Sequence, residues 1–265
     1  MARMRYSKGL IILSALFLFL PLVYFLSVPD VSKLGKERPR ETALMEYREK
    51  EARQKGKKYS IQRTWVPFSS ISPYLIKAVL IAEDDKFWRH EGFDYEAIEK
   101  AIEKDMKARR FRFGGSTISQ QLARNLYLSP VKNPLRKMRE AIITWRMEKV
   151  LSKRRILELY LNLVEWGDGI FGIEAASRHY YGKPSSELSP EEAARLASVL
   201  PNPRRYNPLG SQRYVVNRST IIYRVMIQRG IVPPEYKEVT EKSESTLEGL
   251  NPIPSMPAEK PTPSF

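Results

Sequence analysis

Three adjacent carboxylates, Glu83, Asp84 and Asp85, close the apolar stretch Ala78-Val79-Leu80-Ile81-Ala82 and run into Lys86-Phe87-Trp88-Arg89-His90-Glu91-Gly92. Crowded negative charge raises the pKa of whichever carboxyl is least solvated, and a carboxylate tuned that way suits general-base work. A solvated helix end with local salt bridges is the other reading of the same residues. Further on, Gly114-Gly115-Ser116 precedes Thr117-Ile118-Ser119-Gln120-Gln121-Leu122-Ala123-Arg124-Asn125. Thr117 and Gln120 have the capping-box spacing. Exposed N–H groups at such a helix start suit phosphate oxygens. Thr117, Gln121 and Arg124 fall at i, i+4 and i+7, so one face offers a hydroxyl, an amide and a guanidinium; an ordinary capped amphipathic helix has the same pattern.

A third group, Lys132 with Arg136-Lys137-Met138-Arg139-Glu140, sets four cations around one carboxylate. Arg136 and Lys137 stand four and three residues before Glu140, which predicts ion pairs along a helix. The functional reading is a phosphate or pyrophosphate clamp, whose cations stabilise charge on a departing group. A structural basic face is the alternative. The segment Arg155-Ile156-Leu157-Glu158-Leu159-Tyr160-Leu161-Asn162 with Glu165-Trp166-Gly167-Asp168-Gly169 reads as core helix and turn, and His179 as structural.

Helices must position these groups. Apolar residues recur at helical spacing over 73–90, 95–111, 117–128, 135–163, 172–181, 190–200 and 212–229. Punctuation supports several of them: Asp94 before Tyr95, Ser189-Pro190 before Glu191, and Gly230 after Arg229. Long alternating β patterns and internal repeats are absent. The sequence divides into a basic flank (1–8), an apolar anchor (9–28), a basic stalk (29–64), a helical domain (65–245) and a Pro-rich, disordered tail (246–265). The stalk carries eleven Lys/Arg against five Asp/Glu over 33–63, which fits a solvated segment near anionic headgroups.

Composition narrows the function classes. The 265 residues are 42% hydrophobic and 28% charged, with 45 Lys plus Arg against 30 Asp plus Glu, a formal net charge of +15. A core is within reach, and the partner is anionic: nucleic acid, acidic lipid or a phosphate-bearing substrate. There is no cysteine, and His90 and His179 are the two histidines. That excludes a disulfide scaffold, a Cys nucleophile and Cys- or His-rich metal cages. No zinc-finger, helix–turn–helix or aromatic RNA-binding signature accompanies the charge. From Leu10 to Val28 no residue is charged, a length that suffices for an uncleaved membrane-spanning helix. Basic residues on both sides leave its orientation open.

Taken in order, these segments resemble the motifs of the peptidoglycan glycosyltransferases of glycosyltransferase family 51. Glu83-Asp84-x-x-Phe87-x-x-His90-x-Gly92 is similar to their first motif. Gly115-Ser116-Thr117-Ile118-x-Gln120-Gln121-x-x-Arg124-Asn125 is similar to the second, and Arg136-Lys137-x-x-Glu140 to the third. Ile156-Leu157-Glu158-x-Tyr160-Leu161-Asn162 resembles the fourth. Leu196-Ala197-x-x-Leu200-Pro201-x-Pro203-x-x-Tyr206-Asn207-Pro208 resembles the fifth. The resemblance spans roughly 65–230. Two positions depart from it: Arg124 stands where the family usually has Lys, and Lys132 where Arg is common. Ser129-x-x-Lys132 has no Lys-Thr-Gly partner, so the transpeptidase of bifunctional relatives is not expected.

The resemblance implies a mainly α fold: a single lysozyme-like glycosyltransferase domain on one N-terminal transmembrane helix. It implies polymerisation of lipid II, the acceptor 4-hydroxyl attacking the donor anomeric carbon with inversion and releasing undecaprenyl pyrophosphate. Glu83 matches the catalytic base and Glu140 the second essential Glu. The substrate-binding set becomes Asp84, Phe87, His90, Gly115, Ser116, Thr117, Gln120, Gln121, Arg124, Asn125, Lys132, Arg136, Lys137 and Arg139. No cofactor is required, with room left for a divalent cation (Mg or Mn) at the pyrophosphate. The implied partners are lipid II, the growing glycan chain, the membrane and proteins of wall synthesis or division, not nucleic acid. The implied location is the cytoplasmic (inner) membrane, with the catalytic domain on its periplasmic face. The rival reading is a membrane-anchored muramidase or lytic transglycosylase. Such an enzyme needs a protonated Glu but has no use for the cation cluster.

Overall fold

The computed structural model describes residues 28–108, 115–131 and 133–233, together with Ala15 and Phe19. The apolar anchor (apart from Val28, Ala15 and Phe19), Lys132 and the Pro-rich tail lie outside the described residues. Among the described residues, no helix is long and apolar enough to cross a membrane. Their secondary structure is mainly helical: α1 (Ala43–Gln54), α2 (Pro73–Glu83), α3 (Tyr95–Ala108), α4 (Ile118–Tyr127), α5 (Pro134–Val150), α6 (Lys153–Leu163), α7 (Ile173–Tyr181), α8 (Pro190–Val199) and α9 (Arg213–Gln228).

Local chemistry accounts for most of these bounds. Thr117 and Gln120 form a complete capping box on α4, and Ser189 and Glu192 do the same on α8. Asp94 accepts from the Ala97 N–H at the start of α3. Gly230 takes a positive φ of 66° just past α9, where a side chain would be strained. Two expected helices come out shorter. The 73–90 pattern stops at Glu83, because Asp84 leaves helical geometry (φ −164°, ψ 75°) and uses its side chain elsewhere. The 135–163 pattern is two helices: Leu151 is extended and the Ser152 hydroxyl caps α6 by accepting from the Arg155 N–H.

A small sheet, which the sequence pattern did not announce, orders β1 (Gln62–Arg63), β3 (Ile170–Phe171) and β2 (Glu165–Gly167) in that sequence. β1 runs parallel to β3 and β2 antiparallel to it. Gly172 follows with φ 79°, and a Cβ there would sit 2.6 Å from the Asn162 carbonyl oxygen. Asn162, fully buried, receives the Val66 N–H and donates to the Val66 and Glu158 carbonyls. One side chain thereby ties the chain leading into α2 to α6.

The segment expected as a solvated stalk is folded onto the domain. Val31, Leu34 and Met45 are buried, and α1 packs on α4. Its neighbours use its polar groups: Arg48 grips Glu165 through Nε and Nη2, and Arg155 donates to the Leu34 and Glu37 carbonyls. Alternating apolar and basic residues hid this, because long cationic side chains lay their stems on apolar surface and carry their charge to a partner. The core is continuous. Leu75, Ala78 and Val79 of α2 are buried with Ala193, Leu196 and Ala197 of α8, and α9 closes over both helices. Ile118 and Leu122 of α4 join Ile143 and Met147 of α5 and Ile156, Leu157 and Tyr160 of α6. The result fixes the C-terminal end of α2 beside the start of α4.

Candidate active site

Asp84 makes that junction. Its Oδ2 accepts from the Ile118 N–H at 2.9 Å, and its Oδ1 lies 2.8 Å from His90 Nε2. The Gly92 N–H donates to His90 Nδ1, so Nε2 carries the proton and donates to Asp84. A carboxylate facing a helix N-terminus is favoured by the helix dipole as well. Phe87 is buried beneath, with the Lys153 ammonium 4.6 Å from its ring centroid. Thr117 closes the corner by donating to the Gly92 carbonyl. Gly92 has φ 90°, and a Cβ would meet Thr144 Cγ2 at 2.9 Å.

The three consecutive carboxylates therefore diverge. Asp85 pairs with Arg229 at the surface, and that guanidinium holds its carboxyl below the ordinary range. Asp84 is spent on the junction. Glu83 points into the interior from the last residue of α2, and burial raises its pKa. The crowding of acids expected from the sequence is not the main cause. Desolvation is, opposed by a hydrogen bond from Gln121 and by the positive charges of Arg218 and Arg124.

Gln121 is oriented from behind. The Tyr160 hydroxyl is buried, and burial drives its pKa well up, so it remains a donor. It donates to Gln121 Oε1 at 3.1 Å. That fixes the amide the other way round, with Nε2 donating 2.9 Å to Glu83 Oε2. Arg218 of α9 approaches the second oxygen, with Nη2 3.4 Å from Glu83 Oε1.

Glu140 has no exposed surface at all. Lys137 donates to its Oε1 at 2.5 Å and to Ser116 Oγ at 3.2 Å. Among the described residues its Oε2 has no hydrogen-bond partner, and Arg124 Nη1 stands 4.0 Å away. Arg124 thus faces both acids, since its charge also acts on Glu83. Gln121 and Ser116 add a second link, the Gln121 amide lying 3.5 Å from the Ser116 carbonyl. Both acids lie behind half-exposed Lys137 and partly exposed Arg124 and Arg218.

The structure brings together Glu83, Gln121, Arg124, Ser116, Lys137 and Glu140. It commits Asp84, Phe87, His90, Thr117 and Gln120 to internal structure. At the α4 start the Ile118 and Gln120 N–H groups are already taken by Asp84 and the Thr117 side chain. Asn125 is buried on α4, and Gly115 packs against the Ala97 and Ile98 backbone. The Arg136–Glu140 pair expected from spacing does not form. Arg136 Nε is buried without a hydrogen bond, while Lys137 takes the carboxylate. Arg139 lies part-buried on the same helix. Sequence reading missed Tyr160 as a partner of Gln121, although it stood inside a quoted motif, and it missed Arg218. The signal for Arg218 was a cation on an amphipathic helix, no different in pattern from Arg213 or Arg224.

A divalent ion at the pyrophosphate would find Glu140 as its nearby carboxylate here, with Lys137 and Arg124 beside it. The neighbours of Glu140 are cations, which have no lone pair to give a metal. Among the described residues no group of three or more His, Cys, Asp or Glu converges.

Comparison with known proteins adds an independent line. Residues 49–227 match the family model described as transglycosylase. The chain is 54% identical over 169 residues to a protein of Nitrosospira multiformis named biosynthetic peptidoglycan transglycosylase, covering 64% of this chain and 74% of that one. A protein of the same name from Dechloromonas aromatica is 51% identical over 188 residues, 71% of this chain and 81% of the relative. One from Aromatoleum aromaticum is 48% identical over 221 residues, 82% of this chain and 95% of the relative.

Proposed function

The chain belongs to the transglycosylase family and is a peptidoglycan glycosyltransferase, and from that premise we propose that it polymerises lipid II with Glu83 as proton acceptor and the cations around Glu140 as the clamp for the leaving diphosphate. The acceptor 4-hydroxyl passes its proton to the Glu83 carboxylate as its oxygen bonds to the donor anomeric carbon. The bond from that carbon to the diphosphate oxygen breaks, and its electron pair leaves with undecaprenyl pyrophosphate. Attack opposite the leaving group inverts the centre.

The groups divide the work by their chemistry. A hydroxyl is a weak nucleophile and gains from a base whose pKa has been brought toward the working pH. A diphosphate leaves readily and needs positive charge more than a proton. Lys137 and Arg124 supply that charge. Lys132, Arg136 and Arg139 belong to the same clamp in this reading, and Ser116 completes its contacts. Glu140 serves as the fixed counter-charge that orders Lys137 and Arg124; it does not transfer the proton.

The observation that carries this assignment is the position of Arg124, whose charge acts on Glu83 while its guanidinium faces Glu140. An acid and a clamp that share a cation can address the two ends of one breaking bond. Residues 9–28 anchor the enzyme in the cytoplasmic membrane in this reading, with the catalytic domain on the periplasmic face where lipid II is presented. Nineteen uncharged residues and a lipid-borne substrate support the anchor.

The test is incubation of the detergent-solubilised protein with lipid II, followed by gel analysis. Glycan polymer is the expected product. Shortening of preformed glycan without polymer would instead establish the muramidase or lytic reading.

A further inference from the structure

Glu83 has charged or polar neighbours from three helices. Gln121 and Arg124 face it from α4, Tyr160 from α6, and Arg218 and Tyr214 from α9, with Asp84 next to it in the chain. Of the two cations, Arg124 is shared with Glu140. Arg218 is not shared in that way. Its Nη2 donates at 2.9 Å to the carbonyl of Ala82, the residue before Glu83, and stands 3.4 Å from Glu83 Oε1. Its Nε is buried without a hydrogen bond. The guanidinium is therefore tethered to the backbone of the helix that carries Glu83, and it approaches the oxygen that Gln121 leaves open.

We propose that Arg218 is a positioning residue for the base: held on the Ala82 carbonyl, its guanidinium orients the Glu83 carboxylate and keeps it ionised without closing a full ion pair that would block proton uptake. The proposal rests on the reading of Glu83 as proton acceptor. The tether explains the spacing. A free arginine would close a bidentate contact with a buried carboxylate and lower its pKa far more. The backbone anchor limits Arg218 to one longer contact, so desolvation still prevails at Glu83. Tyr214, stacked on Tyr206 at 4.2 Å between ring centroids, walls the same side of α9.

The experiment is the pH dependence of lipid II polymerisation in Arg218→Gln and Arg218→Lys, with thermal melting of each variant measured alongside. The Gln side chain carries no charge. Its acid limb is expected to move toward neutral pH by about one unit, with most of the rate recovered above the limb. The Lys variant keeps the charge and is expected to hold the limb near its original position. A uniform loss of rate in Arg218→Gln with an unmoved limb would overturn the proposal. If Arg218→Gln does not fold, Arg218→Met takes its place as the uncharged variant: a limb moved upward by about a unit supports the proposal, and an unmoved limb overturns it. A Glu83→Gln arm separates the two readings. Turnover surviving there removes the base itself, whereas an inactive Glu83→Gln beside an unmoved limb in Arg218→Gln removes only the role of Arg218.

Discussion

Two glutamates, one fully buried and one nearly so, feel the charge of the same arginine, Arg124, and the protein treats them differently. Glu140 is neutralised at close range by Lys137, with Arg124 beyond its other oxygen. Glu83 receives an amide hydrogen bond and a tethered guanidinium at longer range, and burial raises its pKa. A unit charge at contact distance is worth several kcal/mol once water is partly excluded, so the two spacings put the two acids in different electrostatic settings. The tightly paired acid becomes scaffolding for cations. In the proposed mechanism the loosely paired acid takes the proton.

The sharpest attack on this contrast is to remove the counter-charge. Glu140→Ala frees Lys137 and Arg124 from their shared anchor, and a loss of about 10²–10³ in kcat is expected. Measured polymerisation within threefold of the parent would show that Glu140 does not order the clamp. Lys137→Ala removes one cation and leaves Arg124; a smaller drop of about 10–10² is expected, mainly in kcat because charge on the leaving group grows in the transition state. An unchanged rate would take Lys137 out of the clamp.

The contrast also predicts opposite-looking effects on stability. A carboxyl whose folded pKa is raised binds protons more tightly in the folded state. Its penalty is absent below the unfolded pKa and grows as pH rises through the folded value. Glu83→Gln is thus expected to melt higher than the parent at neutral pH, with the gain fading toward pH 4. A melting gain that did not change with pH would contradict the desolvated carboxylate. The smallest effect belongs to the surface pair. Arg229→Ala breaks the half-exposed bridge to Asp85, and a cost below about 1 kcal/mol with normal turnover is expected from denaturation and activity assays.

Much of the scaffold was legible because its signals are local. The capping box at Thr117, the Ser189-Pro190 start, the apolar spacing of α4 and α8, and the glycine after α9 each lie within a few residues of what they control. The Lys137–Glu140 pair was legible for the same reason. What escaped was set by distant partners. Asp84 ends α2 because Ile118, far along the chain, offers it an N–H. The basic segment before α2 folds down because Glu165 and Arg155 take up its polar groups. Arg218 reaches Glu83 across 135 positions of sequence, and no spacing rule connects them. Tyr160 was visible as a residue, but its role depends on which way the Gln121 amide is turned.

The central claim is that Glu83 accepts the proton while other groups hold the substrate. Glu83→Gln keeps the size of the side chain and removes the basic oxygen, so the direct measurement is lipid II binding and polymerisation by that one variant. The account predicts binding close to that of the parent and polymer formation reduced by about 10³ or more. Polymerisation within tenfold of the parent, with binding intact, would contradict it.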